Sequence, residues 1–171
     1  MQTRPHIFLI GFMGAGKSYW GARLAAAKGL PFLDLDDLIV AQEKCSIAQL
    51  FSEIGESGFR ALERAVLQKL ANHAPAVVAT GGGTPCFFDN MEWMNAHGTT
   101  LYLDTPAAVL AERLKHEIGV RRLLASIKQA DLQQFIAGKI SEREPFYRKA
   151  SVVLEQLAEE KDFLSKLLGS V

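Results

Sequence analysis

The sequence predicts an α/β fold in which a parallel sheet of five strands is covered on both faces by helices. Three observations point there. Short apolar runs alternate along the chain with segments of helical periodicity, the pattern of strand–helix–strand crossovers. The chain has 171 residues, 49% of them hydrophobic, enough to fill one core and not two ordinary ones. A glycine-rich loop, 11–18, lies directly between the first apolar run and the first helix, which places that run centrally and aims its C-terminal end at a ligand.

The first strand covers 6–10 and stops at Gly11. A helix follows from Lys17, with Trp20, Leu24 and Ala25 on its inner side and Gly29 near its end. The second strand, 31–35, carries the acidic cluster Asp34, Asp36 and Asp37 at its C-terminal end. Two or three helices fill 38–73, with Ser46 as an N-cap and Gly55 and Gly58 as breaks. The last of these sets Phe59, Leu62, Val66 and Leu70 on one stripe, with Arg60 and Arg64 beside it. The third strand, 76–80, runs into Gly81, Gly82 and Gly83.

A helix over 90–96, stopped by Gly98, leads to the fourth strand, 99–104. Thr105 then reads as a cap with Pro106 at the first helical position, and that helix reaches Lys115. Residues 116–130 have weak periodicity and the pair Arg121 and Arg122, and read as a mobile segment. A helix over 131–144 ends at Pro145, the fifth strand covers 151–155, and a C-terminal helix closes the chain. Trp20, Trp93 and the methionines read as packing residues.

Composition narrows the function. Nineteen Lys plus Arg balance nineteen Asp plus Glu, so no net charge draws the chain to nucleic acid or to an anionic membrane. A local basic cluster in a neutral protein points instead to a small anionic ligand. Cys45 and Cys86 stand in no disulfide or zinc spacing, and His6, His73, His97 and His116 in no metal-binding pattern. A reducing, cytoplasmic setting is expected, with no signal peptide and no membrane span.

Gly11-Phe12-Met13-Gly14-Ala15-Gly16-Lys17-Ser18 matches GxxxxGK[ST]. Its glycines let backbone N–H groups turn inward around phosphates, and the helix N-terminus adds its positive end. Lys17 reaches the β- and γ-phosphates, and the Ser18 hydroxyl is a magnesium ligand. No guanine-reading NKxD follows, which argues against a GTPase of the common kind. One nucleotide-binding unit alone argues against a motor or transporter ATPase.

The phosphate loop and five further separated features together resemble the shikimate kinase family from Ile7 to about Leu154. They are the phosphate loop, Asp34-Leu35-Asp36 (a DxD), Phe59-Arg60 with Glu63 (FRxxE), Gly81 to Gly83, Arg121-Arg122-Leu123-Leu124 (the RPLL lid), and within the same C-terminal part Arg143-Glu144-Pro145-Phe146-Tyr147 (RxPxY), the last five in register behind the first. The resemblance implies a three-layer P-loop kinase fold like that of the nucleoside-monophosphate kinases, with a mobile lid at 116–130. It implies ATP-dependent phosphorylation of shikimate to shikimate 3-phosphate, on the path to the aromatic amino acids; the length, which suits one self-sufficient domain, 1–171, and the absence of repeats or heptads make a monomer the expectation.

On that resemblance Asp36, Lys17 and Arg121 are catalytic. Gly14, Ala15, Gly16, Lys17, Ser18, Tyr19, Arg113 and Arg121 hold ATP, with Arg113 against the adenine. Arg60 and Arg143 clamp the carboxylate of shikimate, Gly81, Gly82 and Gly83 approach its ring, and Asp36 accepts the reacting hydroxyl's proton. Ser18 and Asp34 hold Mg²⁺, Asp34 through water, with Asp34 and Asp36 on one face of the same strand. Two departures stand out: Arg122 replaces the lid proline and competes with Arg121, and Tyr19-Trp20 replaces a smaller pair. Gluconate kinase, nucleoside-monophosphate kinase and a catalytically silent binding module are the alternatives.

Overall fold

A computed structural model describes residues 6–156 and 162–171. Five strands form one parallel sheet in the order β2-β3-β1-β4-β5: β1 (His6–Ile10), β2 (Phe32–Asp34), β3 (Val77–Ala79), β4 (Gly98–Asp104) and β5 (Val152–Glu155). The helices are α1 (Lys17–Lys28), α2 (Leu35–Glu43), α3 (Ile47–Lys69), α4 (Asn90–His97), α5 (Ala107–Leu114), α6 (Leu132–Tyr147) and α7 (Phe163–Leu168). β1 is central and buried at all five positions. Its alternate residues face two cores. Ile7 and Leu9 join Trp20, Leu24, Leu110 and Phe163, whereas Phe8 and Ile10 join Ile39, Phe59, Leu67, Met91 and Tyr147.

The chain steps from β1 out to β2, returns to β3 and then crosses to β4 on the far side of β1. That reversal opens a crevice beyond the carboxyl ends of the strands, where an open α/β sheet binds ligands. The loop after β1, the aspartates after β2 and the triple glycine after β3 all emerge there.

Several sequence expectations are corrected. The second strand ends at Asp34, whose side chain accepts from Asp36 N and caps α2. Asp36 therefore lies in the first turn of a helix, not two residues along the same strand face. The capping bond, a familiar role of Asp before a helix, stops the strand early. Of the two breaks, Gly55 kinks α3 at φ 67°, whereas Gly58 is helical. The apolar stripe of α3 takes in Glu63 and Leu67, with Leu62 only half-buried.

Thr105 does not cap α5. Its Oγ1 donates to Gln156 Oε1 at 2.7 Å, and Pro106 occupies the cap position. The sixth helix runs through Pro145 to Tyr147. Proline removes one helical bond, and only two residues remain to be helical after it, the second being the fully buried Tyr147 that anchors the end to the core. Within 116–130 the chain makes short 3₁₀ turns over Arg122–Leu124 and Gln129–Asp131, pinned by the buried Leu124. Among the described residues, no helix is long and apolar enough to cross a membrane.

Candidate active site

Gly14 and Gly16 take φ of 78° and 86°, values that L side chains rarely adopt, and Gly16 is the N-cap of α1. The loop they shape turns its backbone toward the crevice, and Ala15 beneath it is fully buried. Lys17 opens the helix. Its Nζ donates to Gly11 O at 2.8 Å and to Phe12 O at 3.0 Å. Desolvation lowers the Lys17 pKa to about 8; Asp36 and Asp34 oppose the fall, and Arg121 and Arg143 add to it.

Ser18 Oγ donates to Asp34 Oδ2 at 2.6 Å, while Asp34 Oδ1 accepts from Asp36 N at 3.0 Å. A hydroxyl and a carboxylate thus sit together beside the loop. These hard oxygen donors fit Mg²⁺, which keeps several waters and takes one or two protein ligands beside substrate phosphates. Among the described residues no cluster of three His, Cys, Asp or Glu side chains forms an all-protein cage for a metal.

Asp36 stands next to that pair. Burial raises its pKa from 3.8 to about 6, helped by the charges of Asp34 and Glu63 and resisted by Lys17. A carboxylate in that range is a base at neutral pH whose conjugate acid is not far off.

The other wall of the crevice is cationic. Arg60, on α3, donates from Nη1 to Glu63 Oε2 at 3.0 Å and from Nη2 to Glu56 Oε1 at 3.4 Å, with Cζ 4.2 Å from the Phe87 ring centroid. Glu63 is 1% exposed and takes a second bond, 2.6 Å, from Thr84 Oγ1. The guanidinium is therefore held from behind by a buried carboxylate that is itself held by a hydroxyl. Arg143, on α6, lies with Cζ 5.3 Å from the Phe12 ring centroid.

Gly81, Gly82 and Gly83 have no left-handed φ, so their role is space. A Cβ on Gly83 would stand 2.6 Å from Arg60 Nη2, one on Gly82 3.4 Å from Arg143 Nη1, and one on Gly81 3.1 Å from Glu63 Oε1 and 3.7 Å from Asp36 Oδ1. Gly83 makes room for Arg60, Gly81 for Thr84 and Glu63, and Gly82 for the Met13 backbone with Arg143 beside it. Tyr147 Oη donates to Gly82 O at 2.6 Å and fixes the turn. A cleft of about 440 Å³ results, with Asp36, Arg60, Gly82, Arg121 and Arg143 among its walls.

Arg121 reaches this cleft from the 116–130 segment and pairs with Glu117. Arg122 reaches it too, with Cζ 4.1 Å from the Phe51 ring centroid. Arg113 Nη1 donates to Gly14 O at 2.9 Å and to Gln156 Oε1 at 3.1 Å, which brings it to the phosphate loop. Tyr19 is exposed, with Arg23 Cζ 3.4 Å above its ring centroid.

Sequence reasoning gave no role to Thr84, Phe51, Tyr147 or Met13, all of which build or line the cleft. It quoted Glu63 and Tyr147 only as members of motifs. The i,i+3 spacing of Arg60 and Glu63 was the one available signal. Met13, read as packing, is a wall of the cleft because it lies within the phosphate loop.

Residues 13–169 match the family model for shikimate kinase. A protein of Phocaeicola vulgatus named shikimate kinase is 49% identical over 144 residues, 84% of this chain and 82% of its own length. A solved shikimate kinase from Bacteroides thetaiotaomicron superposes with a TM-score of 0.87 at 37% identity, covering 96% of this chain and 94% of the other. One from Acinetobacter baumannii, in complex with shikimate, gives 0.88 at 34% identity over 98% of this chain and 92% of the other. With the family pattern matched along nearly its whole length, the chain belongs to the shikimate kinase family.

Proposed function

We propose that this chain transfers the γ-phosphoryl group of ATP to a hydroxyl of shikimate, giving shikimate 3-phosphate and ADP for aromatic amino-acid biosynthesis. One observation carries the reading: Asp36, Arg60 and Arg143 line one cleft that opens on the phosphate loop. A small ring with a carboxylate at one end and hydroxyls at the other is matched by two guanidinium groups facing a base.

In this reading Arg60 and Arg143 grip the carboxylate and fix the ring. Asp36 accepts a hydrogen bond from the reacting hydroxyl, aims its oxygen at the γ-phosphorus and takes the proton as the O–P bond forms. The bond from the γ-phosphorus to the bridging oxygen breaks, and ADP leaves. Backbone N–H groups of Gly14, Ala15 and Gly16 hold the phosphates, and Lys17 and Arg121 stabilise the charge that spreads over the transferring group. Magnesium, held by Ser18 and through water by Asp34 beside the nucleotide, supplies further charge neutralisation when bound.

Arg113 and Tyr19 complete the nucleotide side, Arg113 against the adenine. Gly81, Gly82 and Gly83 let the substrate side close around the ring, and residues 116–130 act as the lid. The chain works as one domain and as a monomer in the cytoplasm, where its partners are small molecules and neither nucleic acid nor membrane.

A coupled assay of ADP release, run with shikimate, gluconate and nucleoside monophosphates, tests this. Release with shikimate alone is expected. Faster release with gluconate or a nucleotide would reassign the acceptor. Binding of ATP and shikimate with no ADP release would make the chain a sensor.

A further inference from the structure

Arg122 stands where the family resemblance leads one to expect proline, and the structure gives its side chain a definite place. The guanidinium carbon lies 4.1 Å from the centroid of the Phe51 ring, within the range of a cation–π contact. Among the described residues Arg122 makes no ion pair and no side-chain hydrogen bond, unlike its neighbour Arg121, which is paired with Glu117. Phe51 belongs to α3, the helix that also carries Arg60.

That ring is not isolated. Phe51 stacks on Phe59 with centroids 4.2 Å apart and planes 26° apart, and Phe59 is buried against the sheet. Arg60 Cζ lies 5.8 Å from the Phe51 centroid and 5.4 Å from that of Phe59. One aromatic pair is therefore flanked by two guanidinium groups, one from the substrate clamp and one from the 116–130 segment. Arg122, Phe51 and Arg60 all line the same cleft.

We propose that Arg122 is a positioning residue that latches the lid segment to α3 by stacking on Phe51, so that the lid closes the acceptor side of the cleft and sets affinity for shikimate. The proposal rests on the shikimate reading of the site. A proline at this position has no cation to place on the ring; this chain has exchanged backbone stiffness for a side-chain contact that joins the two walls. Because Phe51 also borders Arg60, the latch acts on the acceptor side, and ATP, held by the phosphate loop, is left to Arg121 and Lys17.

Steady-state kinetics on Arg122→Ala, Arg122→Lys, Phe51→Leu and the double variant test it. A cation–π contact at an exposed site corresponds to about a 2- to 5-fold effect on affinity. Arg122→Ala should raise KM for shikimate by about that factor, with KM for ATP and turnover at saturating shikimate unmoved. Arg122→Lys, which keeps a cation over the ring, should recover most of the loss.

In the Phe51→Leu background Arg122→Ala should cost nothing further, since the two share one contact. An equal cost in both backgrounds would show Arg122 touching the acceptor directly and would overturn the latch. So would an unchanged KM in Arg122→Ala. Should Phe51→Leu fail to fold, the contrast of Lys with Ala at position 122 decides alone: equal losses refute the proposal. Absence of shikimate turnover in the parent protein would instead refute the functional reading beneath it.

Discussion

Replacing Asp36 by Asn keeps the shape of the side chain and removes the base. Its carboxyl is raised from 3.8 to about 6, chiefly by burial, so at pH 7 about nine-tenths of it is ionised in the folded protein. Since the carboxylate acts mainly in the transition state, turnover should fall on the order of 100-fold, with ATP affinity unchanged. The same shift predicts a gain in stability. A folded pKa above the unfolded one means that the folded state binds more protons between the two values, so stability is lost as pH rises from about 4 to about 6. The full gap corresponds to about 3 kcal/mol, reduced to about 1–2 kcal/mol because Asp36 is partly open to water. Asp36→Asn has no such loss, and at pH 7 should melt a few degrees above the parent, with the difference shrinking toward pH 4. In the parent, kcat/KM should fall as pH drops through about 6. Near-full turnover of Asp36→Asn at saturating shikimate would refute the assignment and hand the hydroxyl to another group such as Asp34. An unchanged or lower melting point at pH 7 would refute the claim that burial penalises this carboxylate.

Arg60→Ala and Arg143→Ala should each weaken shikimate binding by on the order of 2 kcal/mol, about 30-fold, in a calorimetric titration that finds ATP affinity nearly intact; unchanged shikimate affinity would remove that residue from the clamp. Arg60→Ala should also melt lower than Arg143→Ala, because it strips the ion pair from Glu63, which is 1% exposed. Asp34→Asn should raise the magnesium concentration for half-maximal activity by roughly tenfold, and an unmoved midpoint would release Asp34 from the metal. Gly83→Ala puts a methyl group 2.6 Å from Arg60 Nη2, so the guanidinium must move by most of an ångström. KM for shikimate should rise about tenfold with KM for ATP constant, and parent-like shikimate kinetics would mean the clamp does not depend on that placement.

What could be read in the sequence is what neighbouring residues decide among themselves. The phosphate loop is legible because Gly14 and Gly16 supply the positive φ that its turn demands and because a strand and a helix flank it. The strand order could be anticipated only at its centre, where the loop fixes β1; the remaining order depends on pairings between segments far apart. Local rules also misled where a distant partner outbid them. Thr105 reads as a helix cap, yet Gln156, 51 residues on, takes its hydroxyl. Pro145 reads as a stop, yet the buried Tyr147 carries the helix past it and ties it to Gly82, 65 residues back.

The substrate side of the site is almost wholly of this second kind. Arg60 alone is an ordinary surface cation on a helix; it becomes a clamp because Glu63 stands behind it, Thr84 stands behind Glu63, and Gly83 leaves the space it occupies. Beyond the i,i+3 spacing of Arg60 and Glu63, no period or spacing reports such a chain of support, since its other members come from the turn after β3. The triple glycine illustrates the point best. Its residues adopt no conformation reserved for glycine, and the sequence places them only as a close approach to the substrate, whereas the folded molecule shows the space of the missing side chains bordered by Thr84 and Glu63 at Gly81, by the Met13 backbone and Arg143 at Gly82, and by Arg60 at Gly83. The glycines and the charged groups specify one another, and a substitution on either side should therefore be felt first as a change in acceptor affinity rather than as a loss of fold.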